Sequence, residues 1–314
     1  MIRGAPGAWD TTYHAPVLAD EIVELFKDSQ TILDCTLGGG GHSAALLANG
    51  ATVIAIDRDP NAITAARNRL ASYEASGRFH VILGNFAEAD RLLPHTIGKF
   101  DGILADLGVS SHQFDDASRG FSFREGAPLD MRMSEESGET AADFLNSADE
   151  ENLASVFRDY ADEPKARRLA KEIVRRRANR EFKTSDDLVG AIRAVLGPRS
   201  GAGDFARIFQ AVRIAVNDEM VALTTALPIL RDKLSDDGLL AVISYHSGED
   251  RIVKHAMREW SMDCICPPRQ PQCTCRGRAL GKLVTRKAVT AGQDEIERNP
   301  RARSARLRAW RKGE

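Results

Sequence analysis

Three carboxylates and a run of glycines carry the chemistry of this chain. Asp34, Gly38, Gly39, Gly40, Gly41 and Asp57 all fall within TILDCTLGGGGHSAALLANGATVIAIDRD, residues 31–59. Consecutive glycines admit positive φ and let a ligand lie against bare main chain. Asp57 closes the apolar run that follows them, where an acid accepts hydrogen bonds from ribose hydroxyls. Asp34 stands just before the glycines. A pyrophosphate there would meet like charge. S-adenosylmethionine carries no phosphate, and its amino group and sulfonium are cationic. Gly39, Gly41 and Ala44 also satisfy G-x-G-x-x-G/A, so NAD stays open on these residues alone. Asp106 ends a further apolar run, FDGILADL, before the polar GVSSHQFDD, and is the first candidate for a catalytic acceptor. His246, in LLAVISYHS, is the second: it either stands near a substrate or packs.

These side chains need elements to hold them. The pattern predicts strands over 31–34, 52–56, 79–83, 100–107 and 239–244, with two more over 283–288 and 305–310. Helices are predicted over 14–26, 42–48, from Pro60 onward, and over 249–260. Strands and helices that alternate in this way give an α/β fold with a mostly parallel twisted sheet. In such sheets ligands bind beyond the carboxyl ends of the strands, where Asp34, Asp57, Asp106 and His246 all fall. Phe86, just past the third strand, either flanks an adenine or joins the core. The alternation stops over 115–205, where helices are predicted at 141–145, 151–160, 164–177 and 184–196, the last opened by a Thr184–Asp187 capping box. The domain reading is therefore 1–111 with 206–314, interrupted by an all-helical insertion over 112–205. A long helical region over 208–234 is expected to bend or break at Pro228.

Net charge is −2, which excludes a global basic field, but the charge is uneven. Lys165, Arg167, Arg168, Lys171, Arg175, Arg176, Arg177 and Arg180 crowd one segment. Arg298, Arg301, Arg303, Arg306, Arg308, Arg311 and Lys312 crowd the C-terminus. Such clusters mark either contacts to a polyanion or solvated faces. The N-terminal residues have no apolar signal-peptide core, and no apolar run approaches the roughly 20 residues of a membrane span. A cytoplasmic protein is expected. Cys264, Cys266, Cys273 and Cys275 form C-x-C-P-P-x-x-x-x-C-x-C. They are read as a structural zinc knuckle, as reduced thiols, or as a facultative disulfide, and not as catalytic.

Several stretches together resemble one family: HAPVLADE, DCTLGGGGHS, AIDRDP, DLGVSSHQFDDASRGFSF, PLDMRM, FQAVRIAVNDE, ISYHSGEDRIVK and NPRARSARLR. They are similar to the bacterial 16S rRNA cytosine-N4 methyltransferases, the ribosomal small-subunit methyltransferase H family. The resemblance implies a Rossmann-like class I methyltransferase fold with a helical insert and S-adenosyl-L-methionine as donor. It also implies 16S rRNA within the small ribosomal subunit as the partner, with methyl transfer to the exocyclic N4 of a decoding-region cytidine. With Asp34 and Gly38, the cofactor-binding set is then Gly40, Gly41, His42, Asp57, Phe86, Asp106 and Gln113. Asp106 has two possible roles, acceptor for the reacting amine or cofactor contact alone. Phe121 or Phe123 is expected to stack on the unstacked base, and Arg175, Arg176, Arg177, Arg301 and Arg303 to hold phosphates. Monomer and homodimer both remain open.

Overall fold

The computed structural model describes residues 16–94, 98–108, 119–133, 138–268, 270 and 272–313. The chain divides into two compact units, residues 1–108 with 221–314, and Val109–Met220.

The first unit is built on a seven-stranded sheet among the described residues. Its strands are β1 (Thr31–Asp34), β2 (Thr52–Asp57), β3 (Phe79–Leu83), β4 (Phe100–Asp106), β5 (Leu234–Ser244), β6 (Gly281–Leu283) and β7 (Arg306–Lys312). The order is β3-β2-β1-β4-β5-β7-β6. Pairings from β3 through β5 are parallel, and β7 runs antiparallel to both neighbours. This is the mostly parallel Rossmann-like sheet that the sequence predicts. Helices α1 (Ala19–Leu25), α2 (Gly41–Ala48), α3 (Pro60–Ala75) and the short α4 (Ala89–Leu92) accompany its first half.

Both sheet faces are covered, which is why the central strands read as unbroken apolar runs. Successive residues simply serve opposite faces. Ile32, Val53, Leu104, Ala241 and Ile243 pack with Ile22, Leu46, Leu47 and Ala66 from helices α1 to α3. Leu33, Ile54, Ile103, Leu240 and Val242 join the opposite core. That core takes Leu223, Leu227 and Leu230 from α10 (Glu219–Lys233), and Val253, Met257 and Trp260 from α11 (Ser247–Trp260).

The second unit has its own core. Its helices are α5 (Ala141–Ser147), α6 (Glu150–Ala161), α7 (Ala166–Arg177), α8 (Ser185–Leu196) and α9 (Ala202–Val216). They enclose Leu145, Leu153, Phe157, Leu169, Ile173, Leu188 and Ile192. Asp187 Oδ2 accepts the Thr184 N–H at 3.0 Å and opens α8, at the capping box expected there. The unit extends further than the 112–205 read from sequence, because Ile208, Phe209, Ala211 and Val212 of α9 belong to this core.

Three local expectations are corrected. The long helical region does not break at Pro228, which lies inside α10. It breaks at Asn217-Asp218, where Asp218 takes φ 50° and the Asn217 side chain bonds the Met131 carbonyl at 2.7 Å and the Met133 N–H at 2.8 Å. The strand expected over 239–244 begins earlier, at Leu234, with a register shift where Phe100 pairs with Leu234 but Gly102 with Leu239. The strand expected over 283–288 is β6, displaced to Gly281–Leu283, with Val289 alone bridging to Leu307 beyond it.

Candidate active site

The glycine loop is held from below by two acids. Asp34 ends β1 and is buried to 1 % exposure. A buried carboxylate must be given donors. Its Oδ1 accepts the Thr36 N–H at 3.1 Å and its Oδ2 accepts the Ser43 hydroxyl at 2.7 Å. Burial nevertheless raises its pKa above the ordinary carboxylate value. Asp34 therefore braces both ends of the loop. Asp57 ends β2, one strand away, and reaches the same loop. Its Oδ2 accepts the Gly38 N–H at 2.7 Å and its Oδ1 accepts the Asp59 N–H at 2.9 Å. Burial pushes Asp57 up to about 6. Each of its oxygens bears a second lone pair, and the residue is only partly buried, so ribose hydroxyls can still donate to it.

Gly40 shows why the loop needs glycine. It takes φ 73° as the residue before α2, and a Cβ there would lie 3.1 Å from Leu70 and 3.2 Å from Ala66. Beside Gly38 there is open space, with nothing within 4 Å of a notional Cβ. The N-cap of α2 is Gly40, which has no side chain to cap the first turn, so that among the described residues its N–H groups are open to a carboxylate.

Asp106 ends β4, the strand next to β1, so the loops after these two strands part at the switch point of the sheet. The two rims are tied across that point, because the Asp106 N–H donates to Thr36 Oγ1 at 2.7 Å. The Asp106 side chain is 6 % exposed, and its Oδ2 lies 3.4 Å from His42 Nε2. Tyr245 stands beside Asp106 too, and burial together with that carboxylate raises the phenol well above its ordinary pKa. Gly108 makes room for this ring, since a Cβ there would come within 2.7 Å of it. His42, in the first turn of α2, is 5 % exposed, and neither ring nitrogen has a hydrogen-bond partner among the described residues. An orphaned imidazole between a glycine loop and a buried carboxylate calls for a polar ligand. S-adenosylmethionine fits these residues: a carboxylate for the helix N-terminus, hydroxyls for Asp57, and a cationic centre for a rim that holds Asp34 and Asp106.

The structure thus brings Asp34, Gly38, Gly40, Gly41, His42, Asp57 and Asp106 together at one end of β1, β2 and β4. Phe86 stands past β3, half-buried in a short 3-10 turn, and packs against the sheet core. Gln113 lies outside the described residues. Sequence reasoning missed Thr36, Ser43 and Tyr245 as parts of this site. The signal was available for Thr36 and Ser43, since a carboxylate as apolar in context as Asp34 needs nearby donors.

The other expected residues have the following surroundings. His246 is the N-cap of α11: its Nδ1 accepts the N–H groups of Gly248 at 3.2 Å and Glu249 at 3.4 Å. Its Nε2 lies 3.1 Å from the buried Glu249 carboxylate but makes no hydrogen bond among the described residues, so only the Nδ1 side of the ring serves the helix terminus. Phe121 is buried beneath the Arg119 guanidinium, and Phe123 packs edge-on against Phe205 and Phe209. Phe121 is thus buried, and Phe123 is half-buried against the core of the second unit. Arg177 Nη1 donates to the Leu145 and Ala148 carbonyls at the end of α5, at 2.9 and 2.6 Å. Arg175 and Arg176 share Glu172, which they hold down at about 2. Arg175 stays on the exposed basic face of α7, together with Arg167, Arg168 and Lys171. The C-terminal cluster is largely strand β7: Arg308 makes a two-point contact with Asp250, Arg306 also reaches Asp250, and Arg311 pairs with Asp237. Arg303 is exposed and Arg301 half-buried.

Comparison with known proteins supports one assignment. A protein of Gemmatimonas aurantiaca named ribosomal RNA small subunit methyltransferase H is 62 % identical over 310 residues, covering 99 % of this chain and 98 % of that one. The protein of the same name from Heliobacterium modesticaldum is 45 % identical, covering 96 % and 98 %. That from Anaeromyxobacter sp. strain K is 46 % identical, covering 95 % and 97 %. Residues 11–313 match the MraW methylase family, and with identity of this extent over nearly the full length the chain belongs to that family.

Proposed function

We propose that this protein is an S-adenosylmethionine-dependent methyltransferase acting in the cytoplasm on the exocyclic N4 of a cytidine in small-subunit 16S rRNA. The observation that carries the reading is the buried Asp106 carboxylate at the end of β4, tied to the glycine loop through Thr36 and lying 3.4 Å from the orphaned His42 Nε2. The relatives' name supplies the substrate class.

S-adenosylmethionine supplies an electrophilic methyl group on a sulfonium. The chain's task is to make a poor nucleophile attack it, because the N4 lone pair of cytosine is delocalised into the ring. Asp106 accepts hydrogen bonds from the amine and draws the nitrogen toward sp³ character. Acceptors aimed at developing positive charge act strongly where water is excluded, and fixed positioning contributes several kcal/mol more. Thr36 fixes the Asp106 backbone, and His42 and Tyr245 stand beside its carboxylate. The base reaches the site only after unstacking, at a cost of a few kcal/mol. Recognition of the RNA is assigned to the helical unit, with the exposed stripe Arg167, Arg168, Lys171 and Arg175 on phosphates.

The test is a methylation assay with naked 16S rRNA, assembled small subunits and duplex DNA, read by mass spectrometry of nucleosides. N4-methylcytidine formed in the ribosomal substrates supports the reading. Transfer to DNA alone, or to another atom of the base, would overturn it. Asp106→Asn separates the two roles of the acid: normal cofactor affinity with most turnover lost supports the acceptor, and unchanged turnover removes it.

A further inference from the structure

The polypeptide between α11 and β6 carries four thiols that the methyl-transfer site does not use. Cys264, Cys266, Cys273 and Cys275 bring their Sγ atoms within 4.8 Å of one another. Cys264 lies 3.8 Å from both Cys273 and Cys275, Cys266 lies 3.9 Å from Cys273, and Cys273 lies 3.4 Å from Cys275. All four thiols are free, and even the shortest spacing, 3.4 Å, is well beyond a disulfide bond. Cys264 is equidistant from two partners, and each Cys-x-Cys arm faces the other.

A tetrahedral zinc ion with Zn–S bonds of ~2.3 Å requires sulfurs about 3.8 Å apart along each edge. Three edges, at 3.8, 3.8 and 3.9 Å, match that value, the Cys273–Cys275 edge is shorter at 3.4 Å, and every edge lies within 4.8 Å. The backbone repeats the match. The N–H of Ile265, between Cys264 and Cys266, points at Cys275 Sγ at 3.4 Å. The N–H of Thr274, between Cys273 and Cys275, points at Cys266 Sγ at 3.4 Å. Each arm thus donates its central N–H to the far sulfur of the other arm. Donors of this kind stabilise thiolate charge and orient ligands around a metal. The base of the hairpin is independently fixed. The Arg276 guanidinium bonds the Glu259 and Met262 carbonyls at the end of α11, and the Ala279 N–H bonds Asp263 at 3.2 Å. The ligands consequently project from an anchored stem.

We propose that Cys264, Cys266, Cys273 and Cys275 form a closed four-thiolate zinc site that orders the hairpin between α11 and β6. All four positions are filled by protein, so the ion has no open coordination site and the role is structural. Binding releases the thiol protons and involves no change of oxidation state.

The experiment uses full-length protein without a histidine tag, expressed with zinc supplied. Elemental analysis should find about one zinc per chain. Cobalt exchange should give the thiolate charge-transfer band and the intense visible bands of a tetrahedral sulfur site. A Cys264→Ser, Cys275→Ser double variant should fall below a tenth of an equivalent while retaining S-adenosylhomocysteine affinity. Chelation should make the wild-type hairpin sensitive to limited proteolysis. Should the double variant fail to fold, chelator-treated wild type replaces it: one zinc released together with four newly reactive thiols supports the site. Wild-type protein with less than a tenth of an equivalent of zinc and no cobalt bands overturns it, as does metal content unchanged in a folded double variant.

Discussion

Asp57 makes cofactor binding depend on protons in a direction that the structure sets. Its carboxyl titrates at about 6 in the free protein, against an ordinary value of 3.8, because burial disfavours the charge. The folded-state value is raised, so the group's contribution to stability is present below 3.8 and lost as pH rises through about 6. A shift of that size corresponds to at most ~3 kcal/mol, and partial exposure lowers it. A ligand whose hydroxyls donate to Asp57 favours the ionised form. Its affinity should fall about tenfold from pH 7 to pH 5 and stay flat above pH 7, with about half a proton released on binding at pH 6. Calorimetric titration of S-adenosylhomocysteine in buffers of different ionisation enthalpy reads affinity and proton release together. Asp57→Asn should weaken binding roughly 10- to 100-fold through loss of charge-assisted hydrogen bonds, and should flatten the pH profile. An unchanged wild-type affinity between pH 5 and pH 7, or an Asn variant that keeps the slope, would refute this reasoning.

Other consequences are as direct. Ser43→Ala leaves Asp34 Oδ2 without its hydroxyl donor in a fully buried place, and should cost about 1–3 kcal/mol in urea unfolding. Changing Arg167, Arg168 and Lys171 together to Glu should weaken binding to single-stranded rRNA and reduce the slope of log affinity against log salt by about 2. Arg177→Ala should leave that slope alone and lower the melting temperature, because Arg177 holds the end of α5. Asp250→Ala strands Arg308, only 11 % exposed, and should destabilise the protein by ~3–5 kcal/mol. The Asp250 carboxyl is depressed by Arg308, so its stabilisation is present above 3.8 and lost as acid protonates it below that value, which acid unfolding of wild type against Asp250→Asn will show.

The sequence by itself determined the doubly covered parallel sheet, since unbroken apolar strands separated by helices have few other solutions. It also placed the acids that end β1, β2 and β4 on one rim, because the C-terminal ends of parallel strands share a side. What it left undecided was the use of each polar group, which depends on partners far away in the chain. Arg306, Arg308 and Arg311 read as a basic tail, but they lie in β7, where Asp250 takes Arg306 and Arg308 and Asp237 takes Arg311, each acid more than fifty positions earlier. Arg177 read as a phosphate ligand, but the open carbonyls at the end of α5 claim it. Phe121 and Phe123 lay in an aperiodic stretch, where pattern cannot separate a packed ring from a waiting one. Only tertiary structure could bring Thr36 to the Asp106 backbone and His42 to its carboxylate, because those contacts cross the sheet's switch point. Periodicity is a property of local backbone geometry and is written in the chain, whereas the satisfaction of a charge is a property of three-dimensional proximity.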